Sequence, residues 1–382
     1  MHIALDARSL CGCHQTGPGR YLAHLYCHLA QRRPNWRVNA YVRKRGSLDN
    51  NPLPEPFSKL CCIDTPGTLF DSWTRSRLPL AVWTDGADLM HCPDGHCPTW
   101  MPVPTVVTIH DLHRLDQSGQ YPPNQVQHFS RSLHCACHRA AAIICPSTHL
   151  RDRLIAERNV PSTRITVIPW GTEAPATAPD ARIANALHQQ YGLEAKFVVC
   201  FSKPAAYTHT AHVLEAWSVI PSALRQNRQL LILGMNDQTQ ERFTQTATSL
   251  GILSSIRLHG QAAKRDLALI LSLAEILIYP NPSAGSGLPI LKAFAADTPV
   301  MTSDHTATSE LAANAAILIH PENPVAMANA IQRLLTDNML RKRGVQRGRR
   351  YAEAFDWAQI AETFAQTLES TANLARSNRV AA

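Results

Sequence analysis

The stretch TVVTIHDL, Thr105 to Leu112, runs through five β-branched residues and then places a histidine and an aspartate together. A short β-branched run reads as a buried strand. His110 and Asp111 therefore fall just past a strand end. The same form recurs outward in both directions, at His2–Leu5, Val38–Val42, Ala87–His91, Ala141–Cys145 and Arg164–Pro169. Helical periodicity lies between such runs, as over Arg20–Arg32. Strands alternating with helices predict a parallel, doubly wound sheet. After GTEAPATAPD, Gly171 to Asp180, a second alternating series begins. Its strands are expected at Phe197–Phe201, Gln229–Leu233, Ile256–Leu258, Ile276–Tyr279 and Val300–Thr302, with Ala316–Ile319 closing the sheet. The fold expected is α/β, with two doubly wound, Rossmann-like domains and a cleft between them. Ligands of such sheets bind beyond the carboxyl ends of the strands.

The boundaries read from these patterns are a first domain over residues 1–172, a linker over 173–194, a second domain over 195–355, and a C-terminal helix and tail over 356–382. The small polar residues from about Thr371 are expected to fray. A chain of 382 residues with 45% apolar and 17% charged residues suits two packed domains. The longest apolar candidate for a membrane span, Leu267 to Tyr279, is too short and carries Glu275. The opening MHIALDA holds Asp6 inside its apolar run and reads as a strand, so a cytoplasmic protein is expected.

Ten of the 11 cysteines precede residue 150, at spacings that fit no compact disulfide framework. Reduced thiols are expected. His91-Cys92 with His96-Cys97, and His134-Cys135-Ala136-Cys137-His138, were weighed as metal ligands. No second pair stands at zinc spacing, so a partly buried helix is the better reading and no metal is expected. The net charge is +8, and residues 1–172 hold 18 Lys and Arg against 12 Asp and Glu. That surplus suits an anionic lipid surface or a phosphorylated acceptor. No aromatic-interleaved basic stripe is present, which argues against nucleic acid.

Two glycine frames follow strands. Thr16-Gly17-Pro18-Gly19-Arg20-Tyr21 precedes a helix, where free N–H groups can meet an anion. Ala284-Gly285-Ser286-Gly287-Leu288-Pro289-Ile290-Leu291-Lys292 also opens a helix, with Pro in its first turn.

In order and spacing the chain resembles the retaining family 4 glycosyltransferases of the GT-B fold. It is closest in flavour to the bacterial mannosyl- and rhamnosyl-transferases of surface polysaccharide synthesis. The motifs are Asp6-Ala7-Arg8, Gly17-Pro18-Gly19-Arg20-Tyr21, His110-Asp111, Leu258-His259-Gly260, Tyr279-Pro280, Gly287-Leu288-Pro289 and Ser309-Glu310-Leu311. The resemblance implies an acceptor-side first domain, a donor-side second domain, a nucleotide sugar as substrate and no cofactor. It implies His110 as the catalytic residue, with Gly17, Gly19, Arg20 and Asp111 on the acceptor side. The donor side would take Ser202, Lys203, Thr208, Gly260, Ala284, Gly285, Ser286, Gly287, Leu288, Pro289 and Lys292.

This chain departs from the family pattern on the donor side. The pattern puts Glu at both ends of the nine-residue frame, where Ala284 and Lys292 stand. It puts Arg and Lys at the diphosphate, where the alignment gives Ser202 and Thr208, with Lys203 one position away. Lys292 can donate but cannot accept from ribose hydroxyls. Two readings follow. The first is a sugar transferase of polysaccharide or lipopolysaccharide synthesis with altered donor contacts, acting on a glycan or lipid-linked acceptor, peripheral at the inner face of the plasma membrane. The second is a non-catalytic homologue that serves a partner glycosyltransferase or binds a glycan.

Overall fold

The computed structural model describes residues 1–10, 17–42, 53–54, 57, 59–63, 73–172, 180–194, 196–202, 207–281 and 287–381. The chain divides into two units. One comprises Met1–Gly171 with Asp356–Ala382, the other Thr172–Phe355.

In the first unit seven parallel strands run in the order β3-β2-β1-β4-β5-β6-β7. They are β1 His2–Asp6, β2 Arg37–Val42, β3 Lys59–Cys62, β4 Leu89–Cys92, β5 Thr105–Thr108, β6 Ala142–Cys145 and β7 Ile165–Val167. All four residues of β4, β5 and β6 are buried, as strands covered on both faces must be. Helix α1, Gly17–Arg32, buries Tyr21, Leu22, Leu25, Tyr26 and Leu29, a helical stripe. Helices α2 Leu78–Thr84, α3 Pro123–Arg139 and α4 Thr148–Arg158 complete the layers that position the strand ends. The strand order reverses direction between β1 and β4, which register Ile3 against Leu89.

The second unit holds six parallel strands in the order β10-β9-β8-β11-β12-β13. These are β8 Lys196–Phe201, β9 Arg228–Leu233, β10 Ile256–Leu258, β11 Leu277–Tyr279, β12 Val300–Ser303 and β13 Ile317–Ile319. The order turns between β8 and β11. Among the described residues its longer helices are α5 Ala181–Gln190, α6 Tyr207–Val219, α7 Asp237–Ser249, α8 Lys264–Leu273, α9 Leu288–Ala295, α10 Thr306–Ala312, α11 Pro324–Thr336 and α12 Asn338–Glu353. Its core is built on Trp217, Phe197, Phe243 and Phe294, all essentially inaccessible.

Two boundary expectations are corrected. Residues 181–190, read as linker, form α5, whose N-terminus is capped by Asp180 accepting from Ile183 N at 2.8 Å. Leu187, Tyr191 and Leu193 are buried in the second unit's core, so this segment belongs to the packed unit. The C-terminal tail does not fray at Thr371. Helix α13, Trp357–Ala381, carries Ile360, Ala361, Phe364, Ala365, Leu368 and Ala372 on one buried face. It packs on α1 in the first unit. Arg33 closes that seam with Glu362 at 2.8 Å and Glu369 at 2.9 Å.

Candidate functional site

The carboxyl end of β5 delivers His110 into a buried aromatic setting. Its Nε2 donates to the Pro93 carbonyl at 2.8 Å. Its ring meets Tyr21 and Trp170 edge-on, each at 5.3 Å between centroids, and those two rings stack on each other at 5.1 Å. Burial depresses the His110 pKa to about 4, outweighing Asp111 and the Pro93 carbonyl. The imidazole is therefore neutral near pH 7, with the proton on Nε2 and a lone pair on Nδ1. Nδ1 is buried and has no hydrogen-bond partner among the described residues. An unsatisfied buried acceptor is costly until a donor reaches it.

Around it, Gly17 opens α1 close to Trp170, and a Cβ there would lie 3.2 Å from that ring. Gly19 is buried, and the half-buried Arg20 has a buried Nε with no partner among the described residues. Asp111 pairs with Nδ1 of His113 and accepts from its backbone N–H at 3.2 Å. At the end of β1, Asp6 and Arg8 form a fork of 2.6 and 2.8 Å, and the Arg8 guanidinium lies 4.3 Å over Trp73. Burial pushes the Asp6 carboxyl up, but the charge and hydrogen bonds of Arg8 hold it below the usual range.

The second unit builds its strand ends from backbone and small hydroxyls. Ser202, at the end of β8, is buried with its Oγ 3.0 Å from Thr210 Oγ1. Gly234 follows β9 at φ +94, and a Cβ there would lie 2.3 Å from the Ser202 carbonyl oxygen. Its N–H donates to the Gly260 carbonyl at 2.9 Å. Only glycine meets both demands. Gly287 takes φ 50 and ψ 20 as it caps α9, and a Cβ there would meet Leu311 Cδ1 at 2.2 Å. Leu288 and Pro289 make the first turn, and Lys292 is half-buried one turn on. Lys203, Ala284, Gly285 and Ser286 lie outside the described residues, as does the side chain of Thr208.

Thus His110, Gly17, Gly19, Arg20 and Asp111 all lie in the first unit, and Ser202, Gly260, Gly287, Leu288, Pro289 and Lys292 in the second. Tyr21 was read only as part of a motif, and Trp170 stands directly after the expected strand Arg164–Pro169; both wall His110. Their signal was an aromatic placed directly after a glycine turn or a strand end. His91, weighed as a ligand, has both ring nitrogens occupied, by Tyr26 Oη at 2.9 Å and Thr108 Oγ1 at 3.0 Å. His138 Nδ1 donates to the His134 carbonyl at 2.8 Å. Among the described residues no three His, Cys, Asp or Glu side chains gather as a metal site, and no helix is long and apolar enough to cross a membrane.

Two parallel-sheet units with glycine turns and polar groups at their strand ends define a GT-B architecture. Residues 15–174 match the family model Glycosyltransferase Family 4, and residues 185–351 match Glycosyl transferases group 1. The chain belongs to the family 4 glycosyltransferases. It is 24% identical over 253 residues to O-antigen chain mannosyltransferase B of Escherichia coli, covering 66% of each chain. It is 30% identical over 156 residues to phosphatidyl-myo-inositol mannosyltransferase of Mycobacterium leprae, covering 40% of this chain and 41% of that protein. The match thus spans two thirds or less of the length of these curated relatives. Among solved structures it resembles Anabaena HepE in complex with UDP and glucose, with a TM-score of 0.74, 16% identity and coverage of 97% and 99%. That likeness speaks to the fold.

Proposed function

We propose that this chain transfers a hexosyl group, mannose first among the candidates, from a nucleotide sugar to a glycan or lipid-linked acceptor in surface polysaccharide or lipopolysaccharide synthesis. Family membership supports the reaction class, and the similarity to mannosyltransferases supports the sugar. The observation that carries the reading is the neutral, buried His110 with an unsatisfied Nδ1. Such a nitrogen accepts a hydrogen bond from a sugar hydroxyl and cannot serve as an acid at pH 7. The leaving diphosphate gains negative charge as the glycosidic bond breaks, so it needs cations or N–H donors. The N-terminus of α9 behind Gly287, with Lys292 one turn on and Lys203 after β8, is the proposed source.

The acceptor half is proposed to work against an anionic membrane surface. Arg75 and Arg77 are exposed just before α2, and Leu80 and Trp83 of α2 are 54% and 65% exposed. Interfacial cations and aromatics suit a lipid headgroup layer.

The test is incubation of the protein with isotopically labelled GDP-mannose and UDP-, ADP- and dTDP-hexoses, together with a membrane lipid extract as acceptor. Label in the lipid-linked or glycan fraction, in a product that keeps the donor's anomeric configuration, is the expected result. Release of no sugar from any donor would favour the non-catalytic homologue, whose basis is the replacement of both motif glutamates by Ala284 and Lys292.

A further inference from the structure

The connection from β4 to β5 brings two half-buried thiols together outside the site just described. Cys97 lies in that connection and Cys135 on α3. Both thiols donate to one acceptor, the Pro98 carbonyl oxygen, each at 3.5 Å. The two thiols also influence each other's acidity. The surrounding contacts hold this arrangement. Ser132, one turn before Cys135, donates to the Gly95 carbonyl at 3.2 Å and sits 2.9 Å from His96 Nδ1. Gly95 N–H donates to the Thr108 carbonyl at 2.8 Å. Two sulfurs converging on one oxygen, each on a chain segment pinned by its neighbours, are poised for a covalent bond.

We propose that Cys97 and Cys135 form an oxidisable dithiol that a peroxide converts to a disulfide, tying the β4–β5 connection to α3. The two thiols differ in acidity. Cys135 is lowered to about 7, chiefly by the hydrogen bond from Cys97 and further by Arg139 and His138, with burial opposing. Cys97 is pushed up by the same hydrogen bond and by burial. The more acidic thiol is the attacking one, because the thiolate is the nucleophile. Its sulfur attacks the peroxide, the O–O bond breaks, and Cys135 becomes a sulfenic acid as one water leaves. The Cys97 sulfur then attacks the Cys135 sulfur. The S–O bond breaks, the Cys97 proton departs with the hydroxyl as a second water, and the S–S bond remains. Hydrogen peroxide is reduced, and two thiols are oxidised.

The bridge would fasten the segment that also carries Pro93, whose carbonyl anchors His110. Cys92 lies near Cys97 but is fully buried, out of reach of an external oxidant. The exposed Cys62 supplies an internal control for general reactivity.

The experiment uses the full chain, reduced, freed of reductant and treated with a small excess of hydrogen peroxide. Remaining thiols are alkylated and the protein is digested for mass spectrometry. The expected product is a peptide pair joined through Cys97 and Cys135, with two free thiols lost and restored by dithiothreitol. In Cys97→Ser the bridge is absent, and dimedone traps a sulfenic acid on Cys135. In Cys135→Ser, Cys97 stays reduced. No transfer activity is read, so the outcome is independent of the donor. The proposal is overturned if wild-type Cys135 oxidises no faster than Cys62, or if the bridge joins a different pair.

Discussion

The strand ends of the two units are built from different materials. In the first, the chemistry sits in side chains: His110 between Tyr21 and Trp170, and the Asp6–Arg8 fork over Trp73. In the second, the described frame is mostly backbone, with Gly234 against Ser202 and Gly287 against Leu311. A backbone frame keeps its shape while the side chains on it change. The left-handed turn at Gly287 can therefore persist whatever side chain stands at position 292. The strand ends at Gly234 and Gly287 should therefore be sensitive to added Cβ atoms, and the site around His110 to changes of functional group.

The largest effect expected is on Gly234. Gly234→Ala forces a Cβ to 2.3 Å from a backbone oxygen at φ +94. Its cost is roughly 3 kcal/mol of unfolding free energy. Gly17→Ala faces a side-chain ring at 3.2 Å and should cost under about 1 kcal/mol. Urea titration of both variants checks this, and equal losses would erase the contrast between the units.

Acid should act on the first unit through His110. Its pKa falls from 6.5 in the unfolded chain to about 4 when folded. Between those values the unfolded state takes the proton first, so stability is full above about pH 6.5 and is lost as pH falls. From pH 6.5 to 5 the wild type should lose about 2 kcal/mol more than His110→Gln. Parallel curves of stability against pH for the two proteins would show that His110 titrates normally.

Turnover should respond next. Once a donor is identified, His110→Ala should lower it by at least tenfold, about 1.4 kcal/mol in the barrier. A folded variant with unchanged turnover removes His110 from the chemistry. The smallest effect per residue is at the surface. Arg75→Glu with Arg77→Glu should weaken sedimentation with anionic vesicles by about 1 kcal/mol per arginine, and high salt should abolish the difference. Equal binding to neutral vesicles contradicts an electrostatic attachment.

The strands were legible because a parallel strand covered on both faces is buried throughout and rich in β-branched and apolar residues, as Thr105–Thr108 and Ala142–Cys145 are. The glycine turns were legible because few residues tolerate their geometry. What escaped depends on distance along the chain. The aromatic walls of His110 come from Tyr21 and Trp170, far away on either side. The return of α13 to the first unit rests on pairs such as Arg33 with Glu362, while the small polar residues from Thr371 read as a fraying tail. The edge strand Lys59–Cys62 opens on a lysine and carries the exposed Cys62, so it lacks the continuous apolar run that marks the central strands.

The central claim is that the altered second unit still binds a nucleotide sugar. Thermal unfolding with GDP-, UDP-, ADP- and dTDP-sugars tests it most directly, because a ligand at a hundred times its dissociation constant adds about 2.7 kcal/mol to stability. The expected result is a clear rise in Tm with at least one donor, reduced by Lys292→Glu and lost in Lys203→Ala. No rise with any donor in the wild type, together with a rise that emerges only after Ala284→Glu and Lys292→Glu, would contradict it.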